Sequence, residues 1–158
     1  MKKFLKFILA IVISFIPGIV GGFFSPMSPG VNEWYNSLNQ SALTPNGWVF
    51  MWAWLILYTL LGIALFLVMN NERTRHSKAK AYTLFIVQMV LNALWTILFF
   101  GAHMVGLALL CLVALIVVSV WMMYAFRPIS RGAFYLVWPY IAWLCFALYL
   151  NGTIILLN

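Results

Sequence analysis

The chain has 158 residues, of which 66% are hydrophobic and 7% charged, and its nine Lys and Arg against two Asp and Glu leave a net charge of +7. A mean hydropathy of +1.04 is far above what a soluble domain of this length uses for its core, which excludes a soluble globular protein and indicates an integral membrane one. Ten-residue segments alternating apolar with polar, as in an outer-membrane barrel, do not occur; the fold class expected is an all-α integral membrane bundle, since only helices and closed barrels satisfy the backbone in lipid.

Five apolar runs, roughly 7–24, 48–68, 81–100, 104–126 and 134–157, contain no Lys, Arg, Asp or Glu. Each reaches or approaches the about 20 residues that a helix needs to cross a bilayer core of about 30 Å. The chain is thus expected to be a single five-helix membrane domain over residues 1–158.

The first run follows Lys2, Lys3 and Lys6, as a secretory signal would, but no small-x-small cleavage site precedes a soluble domain, and Pro17, Gly18, Gly21 and Gly22 suit a packed, retained helix. Ser14, Gly18 and Gly22 form a small-residue stripe, and Gly18 to Gly22 is a GxxxG that permits close approach of a helix within the subunit or across a dimer. The loop that follows, SPMSPGVNEWYNSLNQSALTPNG over 25–47, is too long for a tight connection and too aromatic for a slack linker. Pro26, Pro29 and Pro45 break it, while Trp34, Tyr35 and Leu38 have the spacing of a short helix lying on the bundle; an aromatic belt at the interface is the alternative.

In the second span Trp54 and Tyr58 are four apart and are continued by Leu61 and Gly62. The third carries Gln88, Asn92 and Thr96 on one face with Trp95 beside them; amides in hydrocarbon need partners, so this face is expected to point inward. The fifth opens with Pro139, where a missing amide hydrogen does least harm, and places Trp143, Ala147, Leu150 and Asn151 on one face. If these three faces meet, they enclose an apolar chamber with a few hydrogen-bonding groups, the composition of a small-molecule pocket; a packed lipid-immersed core would favour small residues over indoles.

An odd number of spans puts all nine basic residues on one side with the amino terminus, the second loop and the fourth. The positive-inside rule then makes the amino terminus cytoplasmic and places the first loop and carboxyl terminus outside. The +7 is a topology signal and an attraction to anionic lipid headgroups, not a nucleic-acid footprint. Conventional catalysis has no Ser, His and Asp set, no metal-ligand cluster, and two carboxylates, Glu33 and Glu72, in loops on opposite sides. His76 and His103 fall in loops as solvated residues, and Cys111 and Cys145 fall in spans as small apolar ones.

Trp34-Tyr35, Pro45, Trp48, Trp54, Leu57-Tyr58, Gln88, Asn92, Trp95, Phe99-Phe100-Gly101, Pro139-Tyr140, Trp143, Phe146-Ala147 and Leu150-Asn151 together resemble the translocator protein family, also known as the tryptophan-rich sensory or mitochondrial benzodiazepine receptor family. The resemblance runs over nearly the whole chain. It implies a five-helix bundle, often a homodimer, whose long first loop covers a pocket for porphyrins, including protoporphyrin IX, and for flat aromatic ligands. It further implies that Trp54, Tyr58, Asn92, Trp95, Trp143, Ala147 and Leu150 line or border that pocket, with Gln88 on the same polar stripe and Trp34 and Trp48 near the lid. Trp54 and Trp143 resemble the indole pair that bacterial members use in light-dependent porphyrin breakdown. No cofactor is required; the porphyrin is ligand or substrate.

The chain departs from the family pattern at the lid, where Leu43 and Pro45-Asn46 stand for an aromatic and a proline pair, and at Leu107, where animal members carry Trp. Gly152 follows Asn151 and no basic residue occurs after Arg131, so the family's sterol motif is incomplete and sterol transport is not expected; Val120, Tyr124 and Arg127 fit only the loose sterol pattern. The expected function is a membrane receptor for porphyrin-like tetrapyrroles in their homeostasis or in stress signalling, with photo-oxidative degradation and transport of small apolar molecules as alternatives.

Overall fold

Backbone amides inside a bilayer find partners only along their own helix, and the five apolar runs fold accordingly. The computed structural model describes residues 2–24, 31–72 and 75–158. Pro26, Pro29 and Arg73 lie outside the described residues, as do the side chains of Arg75 and His76. The order is α1 (Lys3–Phe23), α2 (Val31–Ser37), α3 (Gly47–Asn70), α4 (Arg75–Thr96), α5 (Val105–Phe126), α6 (Arg131–Leu136) and α7 (Trp138–Leu157). Five helical segments are long and apolar enough to cross a membrane, Lys3–Phe23, Gly47–Asn70, Lys78–Gly101, Val105–Phe126 and Arg131–Leu157, the last uniting α6 and α7. Several run past the expected ends into Lys, Arg and Asn, because the helical ladder continues beyond the apolar run. α6 starts at the cap Ser130, whose hydroxyl accepts from the Ala133 amide, and the chain is reset at Val137 just before Pro139, which has no N–H to continue the ladder.

α1 packs on α3 and α4, α4 on α5, and α5 on α6 and α7, while α3 closes the ring mainly through α6. The basic end is tied by side chains that cap helix ends: Lys6 Nζ donates to the Met69 carbonyl at 3.3 Å, Asn71 Nδ2 to that of Ile129 at 2.7 Å, and Lys78 Nζ to that of Asn71.

The small residues of α1 act differently from the expected stripe. The buried face is Ala10, Ser14, Pro17 and Gly21; Gly18 is tucked under the Tyr58 ring, and Gly22 faces outward with nothing near it. The close helix crossing uses Gly62 of α3, where an added Cβ would meet Ile11 Cδ1 at 2.6 Å, Ser14 Oγ at 2.8 Å and the Ile11 Cα at 3.0 Å. Of the two GxxxG glycines, Gly18 thus serves a contact within the subunit, one of the two roles expected of the motif.

Beyond Thr96 the helix widens into a π-helical turn, Ile97–Gly101, closed by the Ala102 amide on the Ile97 carbonyl at 2.8 Å. That turn carries Phe99 and Phe100 toward α2, which holds Trp34 and Tyr35 as the periodicity predicts. His103, expected as merely solvated, is exposed yet lies stacked on Trp34 at 3.9 Å with an interplanar angle of 6°, in a left-handed backbone conformation with φ 55. Flat imidazole on flat indole explains the correction: the hairpin supplies a platform as well as a turn.

Replacing Gly62 by Val should destabilise the protein by about 1–3 kcal/mol through overpacking against α1 backbone, whereas Gly22→Ala should leave stability within about 0.5 kcal/mol; thermal unfolding in detergent compares the two.

Candidate functional site

Four buried side chains from three helices form one hydrogen-bonded chain. Tyr58 Oη donates to Asn92 Oδ1 at 2.7 Å, Asn92 Nδ2 donates to Tyr140 Oη at 3.0 Å, and Tyr140 Oη donates to Gln88 Oε1 at 2.9 Å. Asn92, Gln88 and Tyr140 are fully buried and Tyr58 nearly so. The polar stripe of α4 therefore does face inward, and it is joined to α3 on one side and α7 on the other. Thr96 ends the stripe by returning its hydroxyl to the Asn92 carbonyl at 3.2 Å, with its methyl against Gly21 of α1.

Trp54 sits at the centre of the rings above this chain. Its indole stacks on Tyr58 at 5.3 Å and meets Trp95 at 6.2 Å, Tyr140 at 6.4 Å and Trp143 at 6.4 Å, the last nearly perpendicular at 86°. Along α3 and α7 at this level the backbones approach little, and the gap is bridged by rings, Phe50 and Trp54 on one wall and Trp143 on the other. Trp95 stacks on Phe99 at 5.8 Å, and Phe99 meets Trp34 at 5.8 Å, so an unbroken run of rings leads from the interior to α2. Burial against Phe99 and Phe100 pushes the Tyr35 phenol above its ordinary range, so it is neutral at physiological pH.

Trp54, Tyr58, Asn92, Trp95 and Trp143 are thus brought together, with Gln88 joined through Tyr140. Ala147 and Leu150, each 6% exposed, lie one and two turns beyond Trp143 on the same face of α7. Trp34 reaches the cluster only through Phe99, and Trp48, 64% exposed at the start of α3, stands apart from it. Tyr140 and Phe50 are the contributors that spacing had left out. Both were detectable: Tyr140 precedes Trp143 by three residues and Ala147 by seven, and Phe50 precedes Trp54 by four, so each shares a helical face with a residue already chosen.

Hydrogen-bonding capacity remains inside. Gln88 Nε2, Trp95 Nε1, Trp143 Nε1, Ser119 Oγ and both amide atoms of Asn151 are buried and make no protein hydrogen bond. Native interiors seldom leave such groups unused, and the two indole nitrogens belong to Trp95 and Trp143, whose rings pack against Trp54. The arrangement can hold a flat apolar molecule by its faces and orient it with neutral donors.

The connection after α2 is fastened to the far end of α7. The Asn39 amide donates to Asn158 Oδ1 at 2.9 Å, Asn158 Nδ2 donates back to the Asn39 carbonyl at 3.1 Å, and Ser41 Oγ lies 3.0 Å from Tyr149 Oη.

Comparison with known proteins agrees with this layout. The sequence model of the TspO/MBR family matches residues 9–157. Over 155 residues, 98% of this chain and 97% of the relative, it is 37% identical to the tryptophan-rich protein TspO of Archaeoglobus fulgidus. It is 31% identical over 142 residues to the tryptophan-rich sensory protein of Cereibacter sphaeroides, covering 90% and 84% of the two chains, and 33% identical over 120 residues to the human translocator protein, covering 75% and 71%. With the family match over residues 9–157 and the near-complete coverage of the archaeal relative, and with five helices among the described residues long and apolar enough to cross a membrane, the chain belongs to the TspO/MBR family of multi-pass membrane proteins.

Proposed function

We propose that this protein is a membrane receptor for porphyrin-like tetrapyrroles, bound between α3, α4 and α7. The observation that carries the reading is the packing of Tyr58, Trp95 and Trp143 around Trp54 in one neutral ring cluster, in which the Trp95 and Trp143 N–H groups make no protein hydrogen bond. A porphyrin is a broad flat ring with two acid arms. Its faces match indole and phenol rings, and its arms require water or hydrogen-bond donors.

The ligand enters by parting rings across the α3 and α7 gap, where side chains rather than backbone contacts hold the wall. The end beneath α2 is the polar exit for the acid arms, and the Asn39, Ser41, Tyr149 and Asn158 ties make the first loop a lid that must yield for entry. Gln88 and Asn92 act as supports, since their hydrogen bonds to Tyr140 and Tyr58 hold the floor of the site. The distribution of Lys and Arg supports an orientation in which the basic end faces the cytoplasm and the lid the opposite side.

Protoporphyrin IX should quench tryptophan fluorescence saturably in detergent, with affinity reduced about three- to tenfold in Trp143→Phe, the amount that loss of one favourable ring contact costs. Quenching that rises linearly without saturation in folded protein would oppose the reading.

A second reading is supported by the Trp54 and Trp143 pair, whose rings meet edge to face with one indole N–H unpartnered. Light-excited porphyrin and dioxygen can draw electrons from a neighbouring indole, so the pair could direct oxidative opening of the macrocycle to a bilin-like product without any acid or base. Illumination of the complex in air should then give one discrete product, and the Trp54→Phe/Trp143→Phe double variant should give only slower, unspecific bleaching on the same absorbance record.

A further inference from the structure

The lipid-facing surface near the basic end carries a feature unrelated to the aromatic chamber. A groove of about 670 Å³ on the flank of α4 and α5 is lined by Lys80, Leu84, Trp121, Tyr124, Ala125 and Pro128. Pro128 also borders a second depression of about 410 Å³, which lies between Arg127 and Arg131. One part is therefore apolar and aromatic, the other cationic, and the two are contiguous at the α5–α6 turn.

The cationic part is held in place. The Arg127 guanidinium lies 5.7 Å over the Phe134 ring, and Phe134 itself packs on Tyr124 at 5.8 Å and Trp138 at 6.4 Å. A guanidinium resting on a ring keeps its edge N–H donors available, in the planar fork that suits phosphate. Trp121 is 60% and Tyr124 54% exposed, amphipathic rings of the kind that sit at headgroup level. Among the described residues, no carboxylate lines either depression.

We propose that this paired groove is a binding site for an anionic phospholipid, its phosphate between Lys80, Arg127 and Arg131 and an acyl chain along Leu84, Trp121 and Ala125. Charge complementarity selects the occupant: a zwitterionic lipid fits the apolar part equally well but gains little net charge attraction from three cations. The site separates a structural lipid from the chamber ligand, since none of its residues contributes to the rings around Trp54.

The test uses the full protein in phosphatidylcholine vesicles doped, at equal mole fraction, with brominated phosphatidylglycerol or brominated phosphatidylcholine. Bromine quenches a nearby indole, so Trp121 reports occupancy, and the contribution is isolated by difference from Trp121→Phe. Anionic lipid should be preferred about tenfold, and Arg127→Gln, which removes one cation, should lower the preference to about twofold, the about fivefold loss that about 1 kcal/mol for one neighbouring cation implies. Lys2→Gln/Lys3→Gln, at the same membrane surface but outside the groove, should keep it. Equal quenching by the two lipids, or an equal loss in the Lys2/Lys3 variant, would overturn the proposal in favour of diffuse surface attraction. Displacement of the bromolipid signal by a sterol at the same mole fraction would also overturn it, assigning the groove to a neutral lipid through Tyr124 and Arg127.

Discussion

The hydrogen-bonded chain from Tyr58 through Asn92 and Tyr140 to Gln88 is the constraint on which the interior depends. In a bundle surrounded by lipid an unpaired buried amide costs about 1–3 kcal/mol by protein mutational measures, and no water competes to relieve it. The two amides of α4 can be buried only because phenols from α3 and α7 arrive at hydrogen-bond distance. Pairing both polar atoms of Asn92 and the Gln88 oxygen fixes the rotation of three helices at once. That rotation is what turns Trp54, Trp95 and Trp143 toward one another instead of toward the bilayer.

The bundle accordingly has two kinds of contact. Where α1 meets α3 and α4 it is held by smallness: Gly62 of α3 lets Ile11 and Ser14 approach to distances at which a Cβ would not fit, Gly18 accepts Tyr58 of α3, and Gly21 accepts Thr96 of α4. Where α3 faces α7 it is held by size, with Phe50, Trp54 and Trp143 spanning a gap that backbones do not close. Close packing of the first kind is stiffest at Gly62, where an added atom meets the Ile11 backbone. Ring packing of the second kind can be replaced by another flat surface at modest cost, since offset and edge-to-face pairs are worth about 0.5–1.5 kcal/mol each beyond their area. A receptor site belongs on the replaceable side, and the unpartnered indole nitrogens lie there as well.

Hydropathy made the spans legible, because the length of a bilayer and the need for an internal ladder leave little freedom. Periodicity also made the inward faces legible: Gln88, Asn92 and Thr96 are buried together, and Trp54 and Tyr58 share one stacked edge. What periodicity does not encode is which partner completes a contact. Tyr140 was visible as a residue on the right face of α7, but its role as junction between two amides depends on helix rotation, a tertiary quantity. Gly22 repeats Gly18 in sequence yet faces outward, because which side of a GxxxG is used is decided by the Tyr58 ring that happens to cover Gly18. The π-helical turn at Ile97–Gly101 and the Trp34–His103 stack depend on each other across the first loop, and no local pattern announces either. Trp48 was chosen by resemblance alone, and its position on the outer surface shows how much of a residue's place depends on its neighbours.

The central claim is that the ring-lined gap between α3 and α7, floored by the amide chain, receives a porphyrin. An experimental structure of the protein with protoporphyrin IX tests it most directly. The account predicts the macrocycle packed against Trp54 and Trp143 with the Tyr58–Asn92–Tyr140–Gln88 bonds intact beneath it. A porphyrin seated on the lipid-facing surface, with the Trp54 and Trp143 rings still in mutual contact, would contradict it.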